Sequence, residues 1–310
     1  MMISLACPFY NEATGIDSFM ERVVPVLDGL GMKYEIVCVN DGSTDNTLPL
    51  LHAHALRNPA VRVIDLSRNF GKEAALSAAI DHSKGSAVII IDADLQDPPE
   101  LIPKMISLWL EGHEVVLARR TDRSSDSWLK RSTARAFYRL HNILAERPIP
   151  ADVGDFRLLD RKVVLAIQRF PERRRFMKGL LSWVGFKTTI VDYIREPRLA
   201  GTTKFSAWNL WNLAIEGITS FSTAPLRIWT YIGVSVAFAS FCHGLYIVIR
   251  TLYLGVDVPG YPSLLTIILF LGGVQLIGLG VLGEYIGRIH SESMQRPLYI
   301  VRSTYPDNVT

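Results

Sequence analysis

The sequence predicts an α/β domain with a mostly parallel sheet, followed by interfacial helices and a two-helix transmembrane hairpin. Three observations predict it. Short apolar runs alternate with amphipathic segments over the first 120 residues, polar residues collect where those runs end, and two long uncharged stretches come late in the chain. Strands alternating with helical segments build parallel sheets covered by helices on both faces.

Taken in order, ISLACPFY, YEIVCVN, VRVIDLS, AVIIID and EVVLA are rich in Val and Ile and read as strands. Between them Ala13–Leu30, Thr44–Arg57, Lys72–Ser83 and Pro99–Glu111 read as helices. Ser43 or Thr44 is placed to cap the second, and Pro98–Pro99 suits a first turn.

The late stretches are Ile228–Ile249, where His243 is the one titratable histidine, and Val258–Gly283, which has no charge. Each reaches the roughly 20 residues needed to cross a bilayer. Two core helices are the alternative, but a pair joined by a short loop would need a very large core around it. Arg227 precedes the first stretch, and Arg288, Arg296 and Arg302 follow the second. The connection Gly255–Pro259 holds only Asp257, although Arg250 near that end weakens the asymmetry. The positive-inside rule then puts both termini in the cytosol, with the connecting loop on the other side of the membrane. The opening MMISLACPFY is too short for a secretory leader. The expected divisions are 1–205 (catalytic), 206–226 (interfacial), 227–287 (hairpin, with spans near 228–249 and 262–283) and 288–310 (tail).

Cys7, Cys38 and Cys242 have no paired spacing, which suits a reducing compartment and argues against a zinc site. Formal net charge is +3, and Arg119, Arg120, Arg123, Lys130, Arg131 and Arg135 crowd one segment, with Arg173, Arg174 and Arg175 in another. No nucleic-acid motif accompanies them, so no nucleic-acid partner is expected. A phosphorylated lipid or the acidic surface of a lipid bilayer fits the charge better.

Chemistry concentrates at the strand ends. The first strand runs into Pro8-Phe9-Tyr10-Asn11-Glu12, the second into Asn40-Asp41-Gly42-Ser43, the third into Ser67–Lys72 and the fourth into Asp92-Ala93-Asp94-Leu95-Gln96. In parallel sheets, ligands bind outside the carboxyl ends of the strands. One such ending is turn chemistry; four on one rim suggest a site. In an extended segment Asp92 and Asp94 share a face. Paired carboxylates repel unless a cation or proton lies between them. Mg2+ or Mn2+ is held by one or two carboxylates plus substrate phosphates, and Gln96 could add a neutral oxygen. GxGxxG is absent, and Gly71-Lys72-Glu73 lacks the rest of a P-loop. Asp41 can accept from a base N–H, while Tyr10 and Glu12 can meet ribose hydroxyls.

PFYNE, NDGSTDNT, RNFGKEAAL, DADLQDPPE, GDFRLLDR and EYIGRIHSESMQRPLYIV together resemble the membrane-bound polyprenyl-phosphate glycosyltransferases of glycosyltransferase family 2. The likeness is to the bactoprenol glucosyltransferase type, with dolichol-phosphate mannose synthase a relative, and it spans nearly the whole chain. It implies a GT-A fold, a UDP-sugar donor (UDP-glucose), a divalent metal, Mg2+ or Mn2+, and transfer of a hexose to undecaprenyl (polyprenyl) phosphate with inversion. The resemblance implies that Pro8, Tyr10, Glu12 and Asp41 surround base and ribose. Asp92, Asp94 and Gln96 match the metal and diphosphate motif, and Asp155 matches the acidic residue given a catalytic role. Arg195, Arg198 and Lys204 match a basic loop over the diphosphate, where Thr203 stands in place of the usual Ser.

The acceptor phosphate needs its own cations. Arg119, Arg131 and Arg135 are the candidates, the last two one helical turn apart; an ordinary solvated helix face is the alternative. Ser206–Thr223 carries Trp208, Trp211, Ile215 and Ile218 at helical spacing and reads as an interfacial helix, or as one packed on the cytosolic domain. Gly272, Gly273, Gly278, Gly280 and Gly283 permit close helix contact within the hairpin or between subunits of a homo-oligomer. A processive synthase would need more spans and a Q-x-x-R-W motif, which QRFPERRRF lacks. A non-catalytic membrane-tethered nucleotide-binding module would tolerate loss of Asp155 and the basic loop.

Overall fold

The computed structural model describes residues 1–121, 153–170, 172, 183–194, 224–254 and 260–306. The chain forms two compact units, one built on a sheet and including the chain from Arg296 onward, the other holding two long helices.

In the sheet unit β1 (Met2–Phe9), α1 (Ile16–Asp28), β2 (Lys33–Asn40), α2 (Thr47–Arg57), β3 (Val61–Leu66), α3 (Lys72–Asp81), β4 (Ala87–Ile90), α4 (Ile102–Leu110) and β5 (Val115–Arg120) follow the predicted alternation. Then come β6 (Val153–Asp160), α5 (Arg161–Gln168), β7 (Thr188–Tyr193) and, after the long helices, β8 (Val301–Tyr305). The eight strands lie in the order β7-β5-β6-β4-β1-β2-β3-β8. Only β6 and β8 run against the rest. Because β6 is reversed, its first residues lie at the same rim as the last residues of the parallel strands. That is how Asp155 reaches the site.

The sequence pattern explains the layers. Ile16, Phe19, Met20, Val23 and Leu27 form the buried stripe of α1 at helical spacing. They join Ile3, Leu5, Cys7 and Phe9 of β1, Leu51 of α2 and Met105 of α4 in one core cluster. α3 packs on β1 and β2 outside that cluster. Its Ala74, Ala75, Ala78 and Ala79 are all buried, small enough to bring its backbone close to the sheet.

Three details differ from the sequence reading. β4 stops at Ile90, two residues before Asp92. The helix expected from Ala13 starts at Ile16, because residues 10–15 are drawn into loop-to-loop hydrogen bonds described below. Neither Ser43 nor Thr44 caps α2; the helix begins at Thr47, whose amide and hydroxyl both donate to Asp45 Oδ1, at 3.0 and 2.6 Å.

In the second unit α6 (Ala224–Leu254) and α7 (Tyr261–Ser293) cover both predicted spans and run beyond them. Among the described residues, Phe270–Ser293 is the one stretch long and apolar enough to cross a membrane, with a mean hydropathy of 1.4. The apolar stretch of α6 is Tyr231–His243. Phe238, Phe241, Leu276 and Ile289 are all exposed, an outward apolar surface on both helices. A Cβ on Gly278 would overlap the Trp229 indole, so the two helices touch there. Gly272, Gly273, Gly280 and Gly283 have open space instead.

Candidate active site

The rim is stitched loop to loop. The amides of Asn11, Glu12 and Ala13 donate to Ser43 Oγ, Thr47 Oγ1 and Asp45 Oδ2, at 3.0, 3.0 and 3.2 Å. Asn11 Oδ1 accepts from the Thr44 amide at 2.8 Å. Asn11 holds φ +53°, a left-handed conformation that Asn tolerates better than most side chains. Pro8, Tyr10 and Glu12 therefore flank a loop fixed to the end of β2.

The end of β2 is fixed in turn to the loop after β3. Asp41, 3% exposed, accepts from the amides of Phe70 and Gly71 at 2.7 and 3.0 Å. Burial pushes its carboxyl above the usual range, against the pull of those two amides. In this structure Asp41 braces a loop. Gly42, at φ +62°, lies so close to the backbone of Arg68 and Asn69 that no Cβ fits.

Lys72 carries the ties onward. The sequence reading treats Gly71-Lys72-Glu73 as an incomplete phosphate loop and assigns Lys72 nothing. In the structure Lys72 opens α3, and its Nζ lies 2.7 Å from Asp92 Oδ2 and 2.7 Å from Asp155 Oδ2. One ammonium thus joins a carboxylate beyond β4 to a carboxylate at the start of β6. Burial drives the Asp92 carboxyl up, and the Asp155 charge adds to that, while Lys72 opposes it; the net shift is upward. Burial alone would lower the Lys72 ammonium, but the two carboxylates outweigh it and hold it above its ordinary value.

Asp92, Asp94 and Gln96 do not lie in an extended strand, as the sequence reading has them. They occupy a turn in which Leu95 takes φ +54°. A parallel strand that has left the sheet at Ile90 has no ladder to keep it straight. Burial still alternates: Ala93, Leu95 and Asp97 are buried, while Asp92, Asp94 and Gln96 are half-buried. Asp94 Oδ1 accepts from the Gln96 amide at 3.2 Å.

Asp155 is held by its own strand. Arg157, 3% exposed, donates through Nε to the Asp155 carbonyl at 3.2 Å and through Nη2 to the Gly154 carbonyl at 2.6 Å. Arg120 closes the far side. It donates to Tyr193 Oη at 3.1 Å, stands 3.8 Å from Asp97, and would lie 3.2 Å from a Cβ at Gly154. Tyr193 Oη donates to the buried Asp97. Burial by itself lowers the Arg120 guanidinium, but Tyr193, Asp97 and Asp155 raise it.

Arg119, the expected acceptor cation, instead grips Asp192 through a fork at 2.7 and 2.9 Å. Neighbouring residues of a strand point to opposite faces, and Arg120 is the one whose charge reaches Asp155. Arg131, Arg135, Arg195, Arg198, Thr203 and Lys204 lie outside the described residues, as do Arg173–Arg175 and the segment 206–223. Sequence reasoning missed Lys72, Arg120 and Arg157. Their signal was placement within the motifs RNFGK, ARR and GDFR.

Asp92 and Asp94 both lie close enough to the Cys7 thiol, at the end of β1, to help raise it after burial has done most of that work. Two hard-oxygen carboxylates this near one strand end suit a cation that completes its shell with donor phosphates. Among the described residues no group of three or more His, Cys, Asp or Glu side chains is placed to hold a metal alone. The residues fit a metal that arrives with its nucleotide.

Comparison with known proteins gives this geometry its context. Residues 4–167 match the family described as Glycosyl transferase family 2, and residues 224–289 match the GtrB C-terminal hairpin. The bactoprenol glucosyl transferase of Shigella phage SfV is 55% identical over 303 residues, 98% of this chain and 99% of that protein. The prophage bactoprenol glucosyl transferase homolog of Escherichia coli K12 is 54% identical over 302 residues, 97% of this chain and 99% of that one. In fold, the crystal structure of mannosyl-3-phosphoglycerate synthase from Rubrobacter xylanophilus superposes with a TM-score of 0.51 at 18% identity, covering 71% of this chain and 73% of that one. With a GT-A sheet, a rim of converging carboxylates and a hairpin of this type, the chain belongs to glycosyltransferase family 2, as a glycosyltransferase of the bactoprenol glucosyl transferase type.

Proposed function

We propose that this glycosyltransferase moves glucose from UDP-glucose to undecaprenyl phosphate at the cytosolic face of the bacterial inner membrane, inverting the anomeric centre. The product is a lipid-linked sugar donor for O-antigen or another envelope glycan. The observation that carries the reading is the convergence of Asp92, from the turn after β4, and Asp155, from β6, on the single ammonium of Lys72. Near-full-length likeness to bactoprenol glucosyl transferases supports the substrate pair.

Pro8, Tyr10 and Glu12 border the base and ribose, with Asp41 keeping the 67–71 loop beside them. Asp92, Asp94 and Gln96 would hold Mg2+ or Mn2+, which when bound supplies Lewis-acid stabilisation of the departing diphosphate. Arg198 and Lys204 add positive charge over the same diphosphate. The acceptor is a phosphate monoester with a second pKa of about 6. It is mostly a dianion at cytosolic pH, already a nucleophile, so no side chain has to remove its proton. Asp155 therefore serves to support positive charge growing at the anomeric carbon. Lys72 holds that carboxylate in place, and Arg157 fixes the backbone beneath it. Arg131, Arg135 and Arg120 steer the incoming phosphate; Arg119 contributes at longer range, through the Asp192 pair.

Membranes holding the protein, given radiolabelled UDP-sugars, polyprenyl phosphate and Mn2+ or Mg2+, should pass label from UDP-glucose into the organic phase. Label from another donor would replace the sugar. No label from any donor would favour a tethered nucleotide-binding module. An α-linked product from the α-linked donor would refute in-line inversion.

A further inference from the structure

We propose that the C-terminal strand β8 is a working part of the donor site, and that Arg302 is the residue through which it positions the rim. The inference rests on the reading of the 40–45 and 67–72 loops as the donor site. Nothing in the reaction itself calls for a segment so far along the chain.

β8 adds to the free edge of β3 in antiparallel register, Val63 opposite Tyr305 and Asp65 opposite Ser303, with a register shift between Asp65 and Leu66. At that shift the tail takes hold of Ser67, the first residue of the rim loop, by both backbone groups. The Ser67 amide donates to the Ile300 carbonyl at 2.9 Å, and Arg302 Nη2 donates to the Ser67 carbonyl. The other end of the same loop is the pair of amides, Phe70 and Gly71, that Asp41 binds. Lys72 follows immediately. A loop of five residues is therefore pinned at one end by the tail and at the other by Asp41.

Arg302 also reaches inward. Its Nη1 lies 3.3 Å from Asp65 Oδ2, and Asp65 is 2% exposed. Asp65 Oδ1 accepts from Asn40 Nδ2 at 2.7 Å, and Asn40 Oδ1 accepts from the Ser43 amide at 3.3 Å. Ser43 Oγ then accepts from the Asn11 amide. Four side chains thus link the tail to both loops beside the nucleotide. A buried carboxylate without a cation is costly and recruits whatever donors it can. With Arg302 gone, Asp65 would pull on Asn40, and the Ser43 and Asn11 positions would follow. Just before β8, Tyr299 Oη donates to Asp81 Oδ2 at 3.0 Å, at the last residue of the helix that begins with Lys72.

The test uses the full chain in lipid nanodiscs, with Arg302→Gln, Arg302→Lys and, as a comparison at the far end of α3, Tyr299→Phe. Two readouts are taken: amide hydrogen exchange across residues 67–72, and binding of UDP with Mg2+ by calorimetry. In Arg302→Gln, exchange at Phe70 and Gly71 should accelerate about tenfold and UDP affinity should fall by a similar factor, consistent with loss of hydrogen bonds to charged groups. Turnover at saturating donor should change less than about twofold by the same argument. Arg302→Lys keeps the charge and loses the fork, and should recover part of both. Tyr299→Phe should leave UDP affinity unchanged. Unaltered exchange and unaltered affinity in Arg302→Gln overturn the proposal, as does a loss of thermal stability with affinity intact. Faster exchange with full affinity for UDP overturns instead the placement of the donor on these loops, which separates the two failures.

Discussion

Take the ammonium away from Lys72, and Asp92 and Asp155 are left facing each other with their main countercharge gone. Both side chains are mostly covered, at 24% and 18% exposure, so their two negative charges would repel each other with little water to screen them. Lys72→Met should therefore cut single-turnover transfer by on the order of 10²-fold, and Lys72→Arg, which keeps the charge, should restore much of it. Equal turnover in Lys72→Met and wild type would remove Lys72 from the site. A second residue tests the physics away from the chemistry. Glu35 is buried, which alone would raise its carboxyl, but Ser4, the Lys84 amide and Arg62 more than offset this and hold it below the usual carboxylate range. A lowered folded value means that ionised Glu35 stabilises the fold above pH about 4.3. That contribution disappears as pH falls through the lower folded value. Glu35→Gln should cost about 1–3 kcal/mol near pH 7, with the difference in thermal midpoint shrinking on acidification; a difference that grows in acid would contradict the assignment. Asp92 and Asp94 were readable in the sequence because acids after an apolar run are conspicuous, whereas Asp155 came only from the family resemblance of its GDFRLLDR motif. Lys72 was not, since its partners lie 20 and 83 residues further along the chain.

At the scale of elements, the parallel half of the fold was legible because each strand and its following helix are local patterns. β6, β7 and β8 were not. A strand's direction depends on which neighbour it joins, and single-chain periodicity carries no such information. Turn geometry was partly legible. The Asp41-Gly42 pair reads as an ordinary turn, yet the structure shows two loops meeting where only glycine fits. Gly42→Ala would force φ +62° on a side chain, at about 1–2 kcal/mol, and would push the 67–71 loop away from Asp41. Lower UDP affinity together with a lower thermal midpoint is expected; a drop in midpoint alone would show that the two loops do not act on the nucleotide. In the helical unit, five glycines looked equivalent in sequence, but only Gly278 faces a neighbour, the Trp229 indole. Gly278→Leu should shift Trp229 fluorescence and loosen the pairing of α6 and α7, whereas Gly280→Leu should do neither. The reverse pattern would mean that the helices meet along another face.

For the whole molecule, the sheet constrains a question that hydropathy leaves open. Phe270–Ser293 qualifies as a span by length and composition, while the apolar stretch of α6 is only Tyr231–His243. Counting spans from those lengths alone would allow a single crossing. Yet Val301–Tyr305 pairs with Val63–Leu66 in one sheet, and backbone hydrogen bonds cannot form through roughly 30 Å of hydrocarbon. Between residues 66 and 301 the chain must therefore cross the membrane an even number of times. If α7 crosses, a second segment must cross as well, and α6 is the candidate that the sequence reading expects. At 31 residues and about 1.5 Å per residue, it is long enough. Labelling can decide this, because Cys7 and Cys38 are buried and Cys242 can be replaced by Ser. In that background, a membrane-impermeant maleimide should reach Ser303→Cys and Glu111→Cys from the same face of sealed vesicles, and Asp257→Cys only from the other. Labelling of all three positions from one face would mean that the hairpin dips into the membrane and returns without crossing it. Labelling of Ser303→Cys and Glu111→Cys from opposite faces would break the β3–β8 pairing itself.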